Sequence, residues 1–460
     1  MPLLTWSIAL ASLSAFLGSL DSALNISFPA ITAAFSLEVS SIQWVIIGYV
    51  LPHASLLLGC GRLGDLLGHG RLLLWGLLIS SLGFLGCGLA PGFSWLVAAR
   101  VVQGVGMALI SGSAPALVTL AVAPERRGQA LGLLQMSMAA GYALGPLIGG
   151  LLVDAFGWRA VFLFRFLPAL ILAWLAAARL STARLAENRQ SFDLVGALTF
   201  AGSLAAILLA ISQSRHSNML SAQVMIPGLA SVLGLFAFIR AERKGSSPVV
   251  DLRFFQRVPF VIANLLGILA NAARFAVGLL VPYYVIDVLR YSAATGGTLM
   301  LAAAIMTPLA APVAGKLSDR LGTAGLSALG LLLEGLGLWM ISRLDGQADY
   351  LSVALALGIV GLGLGVFEAP NMSFVMGSIP RDQQGVAGGI ANMMRTLGIV
   401  FGATGWSMLF DGRRQLHSQD AAFYGAPEVE TFVLAFQDVF LCAAAICAAA
   451  LLLALFRRHG

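Results

Sequence analysis

A chain of 460 residues that is 59% hydrophobic and only 10% charged does not have the composition of water-soluble domains. Its mean hydropathy of +0.90 and its long uncharged runs point instead to a polytopic membrane protein, because an apolar run of about 18 residues crosses the hydrocarbon core as a helix. The net charge of +6 is scattered over short loops rather than gathered in a patch, which argues against nucleic acid as a partner. Cys60, Cys87, Cys442 and Cys447 fall in or beside apolar runs without zinc-type spacing, so neither a disulfide framework nor a metal site is expected.

Apolar stretches bounded by charges or Pro/Gly breaks predict spans near 6–28, 41–61, 72–90, 93–118, 129–153, 158–178 and 194–213. Seven more are predicted near 221–239, 259–287, 293–315, 323–343, 351–377, 386–410 and 432–456. Fourteen spans put both termini on one side. Loops that join an even span to the next odd one, with the C-terminus, hold seventeen Lys/Arg, and the opposite loops hold six. The positive-inside rule therefore places both termini in the cytoplasm, with the protein integral to the plasma membrane. Asp21 deep in the first apolar run, and no basic stretch before it, argue against a cleaved signal peptide.

The chain also repeats. Gly61-Arg62-Leu63-Gly64-Asp65, with Gly68 beyond, recurs 254 residues later as Gly315-Lys316-Leu317-Ser318-Asp319, with Gly322 beyond. Gly141 and Gly145 in span 5 recur 257 residues later as Gly398 and Gly402 in span 13, and Pro124 before Gly128 matches Pro380 before Gly385. The simplest organisation is two six-span halves, of a kind typical of secondary transporters, with two extra spans between them.

The doubled glycine-acid loop resembles the signature loop of the major facilitator superfamily, G-x-L-a-D-r-x-G. The first copy has Leu66 where that family usually has a basic residue, whereas Arg320 keeps the second copy complete. The resemblance implies an all-α polytopic membrane protein with the major facilitator fold and 14 transmembrane helices. Its parts would be an N-terminal six-helix bundle at 1–178, an inserted transmembrane hairpin with cytoplasmic linkers at 179–257, and a C-terminal six-helix bundle at 258–460. It also implies alternating access, with Gly61, Asp65, Arg71, Gly315, Asp319 and Arg320 forming a conformational gate.

Further strings narrow the likeness. Span 5 carries Gly141, Gly145, Pro146, Gly149 and Gly150, similar to the G-x-x-x-G-P-x-x-G-G motif of the exporters, although such a small-residue face also serves plain helix packing. Leu20-Asp21-Ser22-Ala23-Leu24-Asn25 with Pro29 resembles an element of the fourteen-span proton-coupled multidrug antiporter family. An ionisable group among apolar residues costs several kcal/mol unless paired or protonated, so Asp21 is either a proton carrier or a lock paired with an arginine. Arg100, in Arg100-Val-Val-Gln103-Gly104, resembles the arginine implicated in coupling and lies at a similar depth, so the pair is either a proton switch or a permanent salt bridge.

In the second half, span 9 lines up Asn264, Gly267, Asn271, Arg274 and Gly278 as a polar stripe. Span 12 carries Glu368 beside Pro370 and Asn371, after Gly361, Gly363 and Gly365, whose spacing permits a bend. Spans 1, 4, 9 and 12 correspond to cavity-lining helices of the superfamily. Asp21, Arg100 and Glu368 are accordingly the expected proton-coupling residues, and Asn25, Asn271, Arg274, Asn371 and Arg395 the expected substrate contacts, with Arg395 of span 13 equally a candidate helix tether. Glu334 and Arg165 fall on helices that would be peripheral and are expected to be structural. His53 is expected to be a packed, hydrogen-bonded histidine.

The expected activity is export of amphipathic small molecules by drug:proton antiport, with the proton gradient as energy source and no cofactor. The expected partners are that substrate, protons and membrane lipids, on a monomer. Symport, export of a metabolite or lipid, and a non-transporting sensor are the alternatives. An enzyme is disfavoured, since the sequence shows no nucleophile with its base, H-E-x-x-H or nucleotide-binding loop.

Overall fold

The computed structural model describes residues 2–123, 126–180, 194–213, 221–244, 252–379, 384–424 and 428–456. Pro124 and Pro380 of the repeat lie outside them, as do the basic residues of the C-terminus. The described chain is helical, as apolar segments in lipid must be to satisfy their own backbone groups. Span 1 is composite: α1 (Pro2–Ser19) passes into a 3-10 stretch at Leu20–Ser27 and resumes as α2 (Phe28–Phe35). A short 3-10 turn leads into α3 (Gln43–Leu67), followed by α4 (His69–Gly88), α5 (Phe93–Leu120), α6 (Arg127–Phe156) and α7 (Ala160–Arg179). The inserted hairpin is α8 (Leu194–Gln213) and α9 (Ala222–Lys244), which pack on one another; a Cβ at Gly234 would lie 2.9 Å from that of Ser203.

The second half comprises α10 (Val258–Tyr283), which ends in a π-helical turn at Tyr284–Val288, α11 (Ala293–Leu321), α12 (Thr323–Ile341), α13 (Tyr350–Gly377), α14 (Gln384–Tyr424) and α15 (Glu428–Phe456). Among the described residues these make fourteen helical rods, twelve of them both long and apolar enough to cross a membrane. Interior prolines such as Pro52, Pro146, Pro308 and Pro370 are carried without ending their helices.

The signature repeat has a backbone cause. Gly68 and Gly322, the last glycines of its two copies, sit at φ of +91° and +86°, and each connects two helices in tight succession. A side chain is disfavoured there, so glycine is the residue that fits.

Span 13 was expected to end near 410, yet α14 continues to Tyr424. The reason is a clamp to α15. Arg413 Nε and His417 Nε2, one helical turn apart, both lie 2.7 Å from Asp438 Oδ2, and Arg414 pairs with Glu428 at 2.8 Å. Polar residues beyond the apolar run are thus held helical by ion pairs, which hydropathy does not register.

The chain divides into two compact units. One comprises 1–23, 44–145 and 155–251, and the other 24–43, 146–154 and 252–460. In the first, Ala11, Ala15, Ala114, Val118, Ala130 and Leu134 form a core at the crossing of α1, α5 and α6. In the second, Leu266, Ala270, Ala328, Leu331, Phe367, Ala450 and Ala454 join α10, α12, α13 and α15.

Candidate functional site

The first unit is organised around a single carboxylate. Asp21 lies on the 3-10 stretch, and Arg100 of α5 meets it with two parallel bonds, Nη1 to Oδ1 and Nη2 to Oδ2, each 2.8 Å. Gln103 Nε2 donates to Oδ1 at 2.9 Å while its own Oε1 accepts from Arg100 Nη1 at 2.7 Å. Arg165 of α7 donates from Nη1 to the same Oδ1 at 2.8 Å. Arg100 Nε bonds the Val45 carbonyl at 3.0 Å, and Arg165 Nε bonds that of Val161 at 3.1 Å.

Aromatic faces complete the cage. The Arg100 guanidinium lies 4.3 Å from the Tyr49 ring centroid and that of Arg165 4.6 Å from Phe84. Both arginine side chains are essentially inaccessible, whereas Asp21 keeps 14% exposure. Two guanidiniums against one carboxylate leave a buried excess of positive charge. Bidentate pairing and ring stacking are the contacts for which arginine is suited and lysine is not.

Arg165, expected as a structural charge, is therefore bonded directly to Asp21. Counting charges could have found it. Deep within the apolar runs of the first six spans Asp21 is the lone acid and Arg100 and Arg165 the bases, Arg159 standing at the mouth of its run, and buried charges need partners.

Glycine faces hold span 1 in place. A Cβ at Gly141 would stand 2.5 Å from the Phe16 carbonyl oxygen and 2.8 Å from Ser19 Cβ, and one at Gly145 would overlap the Ser22 hydroxyl. The second unit repeats the device. A Cβ at Gly398 would lie 2.5 Å from the Ile268 carbonyl oxygen, and one at Gly402 2.8 Å from that of Ala272. The sequence repeat is thus a pair of close helix crossings, α6 on span 1 and α14 on α10. The rest of the span 5 motif meets α11, where a Cβ at Gly297 would overlap the Pro146 carbonyl and one at Gly150 that of Ala293. Gly149 is buried in the same stretch. One turn further on, the Asp154 carboxylate accepts from the amides of Ala293 and Ala294, at 3.0 and 2.8 Å, and caps α11.

In the second unit Glu368 Oε1 accepts from Arg395 Nη1 at 3.4 Å, and both side chains are partly open, 29% and 42% exposed. Asn371 donates to the Ala263 carbonyl at 3.0 Å, tying α13 to α10. Asn271 donates to the Gly267 carbonyl at 3.0 Å, and its Oδ1 finds no hydrogen-bond donor among the described residues. Asn25 lies against α10, with Nδ2 3.0 Å from where a Cβ of Gly278 would stand. Arg274 is half-buried on α10. The glycine run of α13 serves close approach to two neighbours: Gly361 and Gly365 meet α11 at Ala303 and Thr307, and Gly363 meets the backbone of Glu334. Glu334 itself is wholly buried.

Of the expected gate, Gly61 and Asp65 lie in α3, and Gly315 and Asp319 in α11; the side chains of Asp65 and Asp319 are outside the described residues. Arg71 is half-buried on α4 and Arg320 exposed near the end of α11. His53 lies 3.2 Å from the Ser111 hydroxyl. Among the described residues no group of His, Cys, Asp and Glu has the geometry of a metal site.

A helical fold with paired charges sunk in apolar helices and with doubled glycine crossings defines a membrane transporter. The Major Facilitator Superfamily family model matches residues 10–403, and the chain belongs to that superfamily. Among its relatives, the riboflavin transporter RibZ of Clostridioides difficile (strain 630) is 29% identical, over 96% of this chain and 94% of that protein. The multidrug resistance protein Stp of Mycobacterium tuberculosis (strain CDC 1551 / Oshkosh) is 29% identical over 82% and 70%, and the methylenomycin A resistance protein of Streptomyces coelicolor (strain ATCC BAA-471 / A3(2) / M145) 28% over 87% and 83%. Among solved structures, the peptide transporter POT in complex with sulfate superposes with a TM-score of 0.71 at 17% identity, over 98% of this chain and 94% of that one.

Proposed function

We propose that this transporter exports amphipathic small molecules in exchange for protons. The observation that carries the reading is the Asp21 network, in which one carboxylate on a non-α-helical stretch of span 1 bridges two buried arginines from α5 and α7. A 3-10 stretch has poorer backbone hydrogen bonds than an α-helix, so displacing Asp21 requires less rearrangement there than in a regular span. Breaking the network uncovers buried positive charge, and this links the position of span 1 to the charge state of its surroundings. The partly open Glu368–Arg395 pair supplies an ionic contact that a charged substrate can replace. Export rather than uptake is supported by the span 5 glycine motif and by the resistance proteins among the relatives. The protein is expected as a monomer with both termini in the cytoplasm and without a cofactor. A membrane potential adds about 2.3 kcal/mol per charge per 100 mV, so one or two protons support a useful gradient.

A second reading has its own observation, the RibZ match, which extends over nearly the whole of both chains. Under it the substrate is a planar heteroaromatic metabolite. Purified protein in liposomes tests both. Counterflow of labelled riboflavin and of a lipophilic cationic dye, each with and without an imposed pH gradient, should show dye moving against an inward proton flow. Riboflavin counterflow without dye movement would favour the second reading, and transport indifferent to the gradient would remove proton coupling.

A further inference from the structure

Among the described residues, the least reconciled ionisable group is Glu334, eleven residues into α12 and about 16 Å from its start. It is 0% exposed, and neither carboxyl oxygen has a hydrogen-bond partner among the described residues. Its seat is built closely. Gly363 of α13 abuts its backbone, a Cβ at Gly337 would stand 2.7 Å from the backbone nitrogen of Val360, and one at Gly335 3.1 Å from Cys447 Cβ of α15. Leu331 and Leu338 flank it on its own helix, both fully buried. Among the described residues, the titratable and charged groups on neighbouring helices whose fields reach it are Arg274 of α10, Glu368 of α13 and Cys447 of α15. On α11 the charged residues, Lys316, Asp319 and Arg320, belong to the end that adjoins the start of α12. Arg274 also carries an unmet demand, since its Nε is buried without an acceptor among the described residues.

A carboxyl group walled by apolar side chains and given no donor has two low-cost conditions. It carries its own proton, or it is ionised directly against a cation. Arg274 is the cation whose field reaches Glu334, whereas Glu368 already has Arg395 at 3.4 Å and partial access to solvent.

We propose that Glu334 binds and releases the coupling proton in the second unit, with Arg274 as the counter-charge it engages once the proton has left. The proton passes to water when movement of α10 and α12 opens the seat, and no other reactant is required. Proton coupling itself is the reading proposed above, and this assignment rests on it; what is added is the group.

Infrared difference spectroscopy of the lipid-reconstituted protein reads the group without any substrate. The wild type should show the carbonyl stretch of a protonated carboxyl at neutral pH, lost on alkaline titration and absent from Glu334→Gln, whereas Glu368→Gln should keep it. In the transport arm, Glu334→Gln should retain gradient-free counterflow and lose at least tenfold of the pH-driven flux, and Glu334→Asp should recover part of that loss. A wild-type spectrum without the band, or pH-driven flux intact in Glu334→Gln, would overturn the proposal. If Glu334→Gln does not fold, the wild-type titration and Glu334→Asp still decide. No dye or riboflavin movement by the wild type, with the band present, would count against the transport reading alone.

Discussion

The Asp21 oxygens accept four hydrogen bonds, three of them from guanidiniums, so the energetics of this site belong to the cluster rather than to any pair. Removing one partner of a buried ion pair strands the other charge, at a cost of about 3–5 kcal/mol. Asp21→Asn keeps the shape and removes the charge. We expect it to lower the thermal midpoint of the detergent-purified protein and to abolish coupled transport. Arg165→Gln and Arg100→Gln should each be destabilising, and their double variant should depart from the sum by about 0.5–3 kcal/mol, because only the double variant strands the carboxylate. Additive losses in the double-mutant cycle would show that Arg165 acts independently of Arg100. The sequence made Asp21 and Arg100 legible because a charge in an apolar run stands out. Gln103 and Arg165 were not assigned to the site, since helical spacing does not say which rods meet.

At the scale of elements, two glycine pairs spaced 257 residues apart do the same work in the two units. They remove the side-chain layer between crossing helices, so backbone approaches backbone, as in small-residue packing within membranes generally. Gly141→Val and Gly398→Val should each force their crossing apart, costing about 1–3 kcal/mol by overpacking and reducing transport. Substitution at Gly405 of α14, where a Cβ would meet nothing within 4 Å, is the control and should leave the thermal midpoint unchanged. The cap on α11 is separable from these. Asp154→Ala removes the acceptor of two amides and should cost about 0.5–2 kcal/mol, with faster amide exchange at Ala293 and Ala294 as its local signature. Equal exchange in variant and wild type would mean that Ser292, whose hydroxyl also caps this helix at Thr295, suffices alone.

For the whole molecule, hydropathy and charge placement made the number and order of the helices readable, because crossing a bilayer constrains length and polarity so strongly. Their ends were less readable. The extension of α14 depends on Asp438 and Glu428 of α15, partners that no local window contains. Burial of Glu334 likewise depends on which neighbours surround α12, and helix order alone does not carry that information. Orientation in the membrane is directly testable. In a Cys442→Ala background, Gly346→Cys between α12 and α13 should react with a membrane-impermeant maleimide from outside intact cells. Gly128→Cys beside the basic Arg126–Arg127 stretch should react once the membrane is opened. The reverse pattern would invert the topology.

The 3-10 stretch at Leu20–Ser27 is a store of length. Eight residues wound at about 2.0 Å each span roughly 4 Å more than the same residues at about 1.5 Å. Rewinding that stretch would draw its two ends together and turn its flank about the axis, carrying the acid from one neighbour toward another. A spin-label distance across the stretch, short in one population and a few ångströms longer in a second, would report that travel.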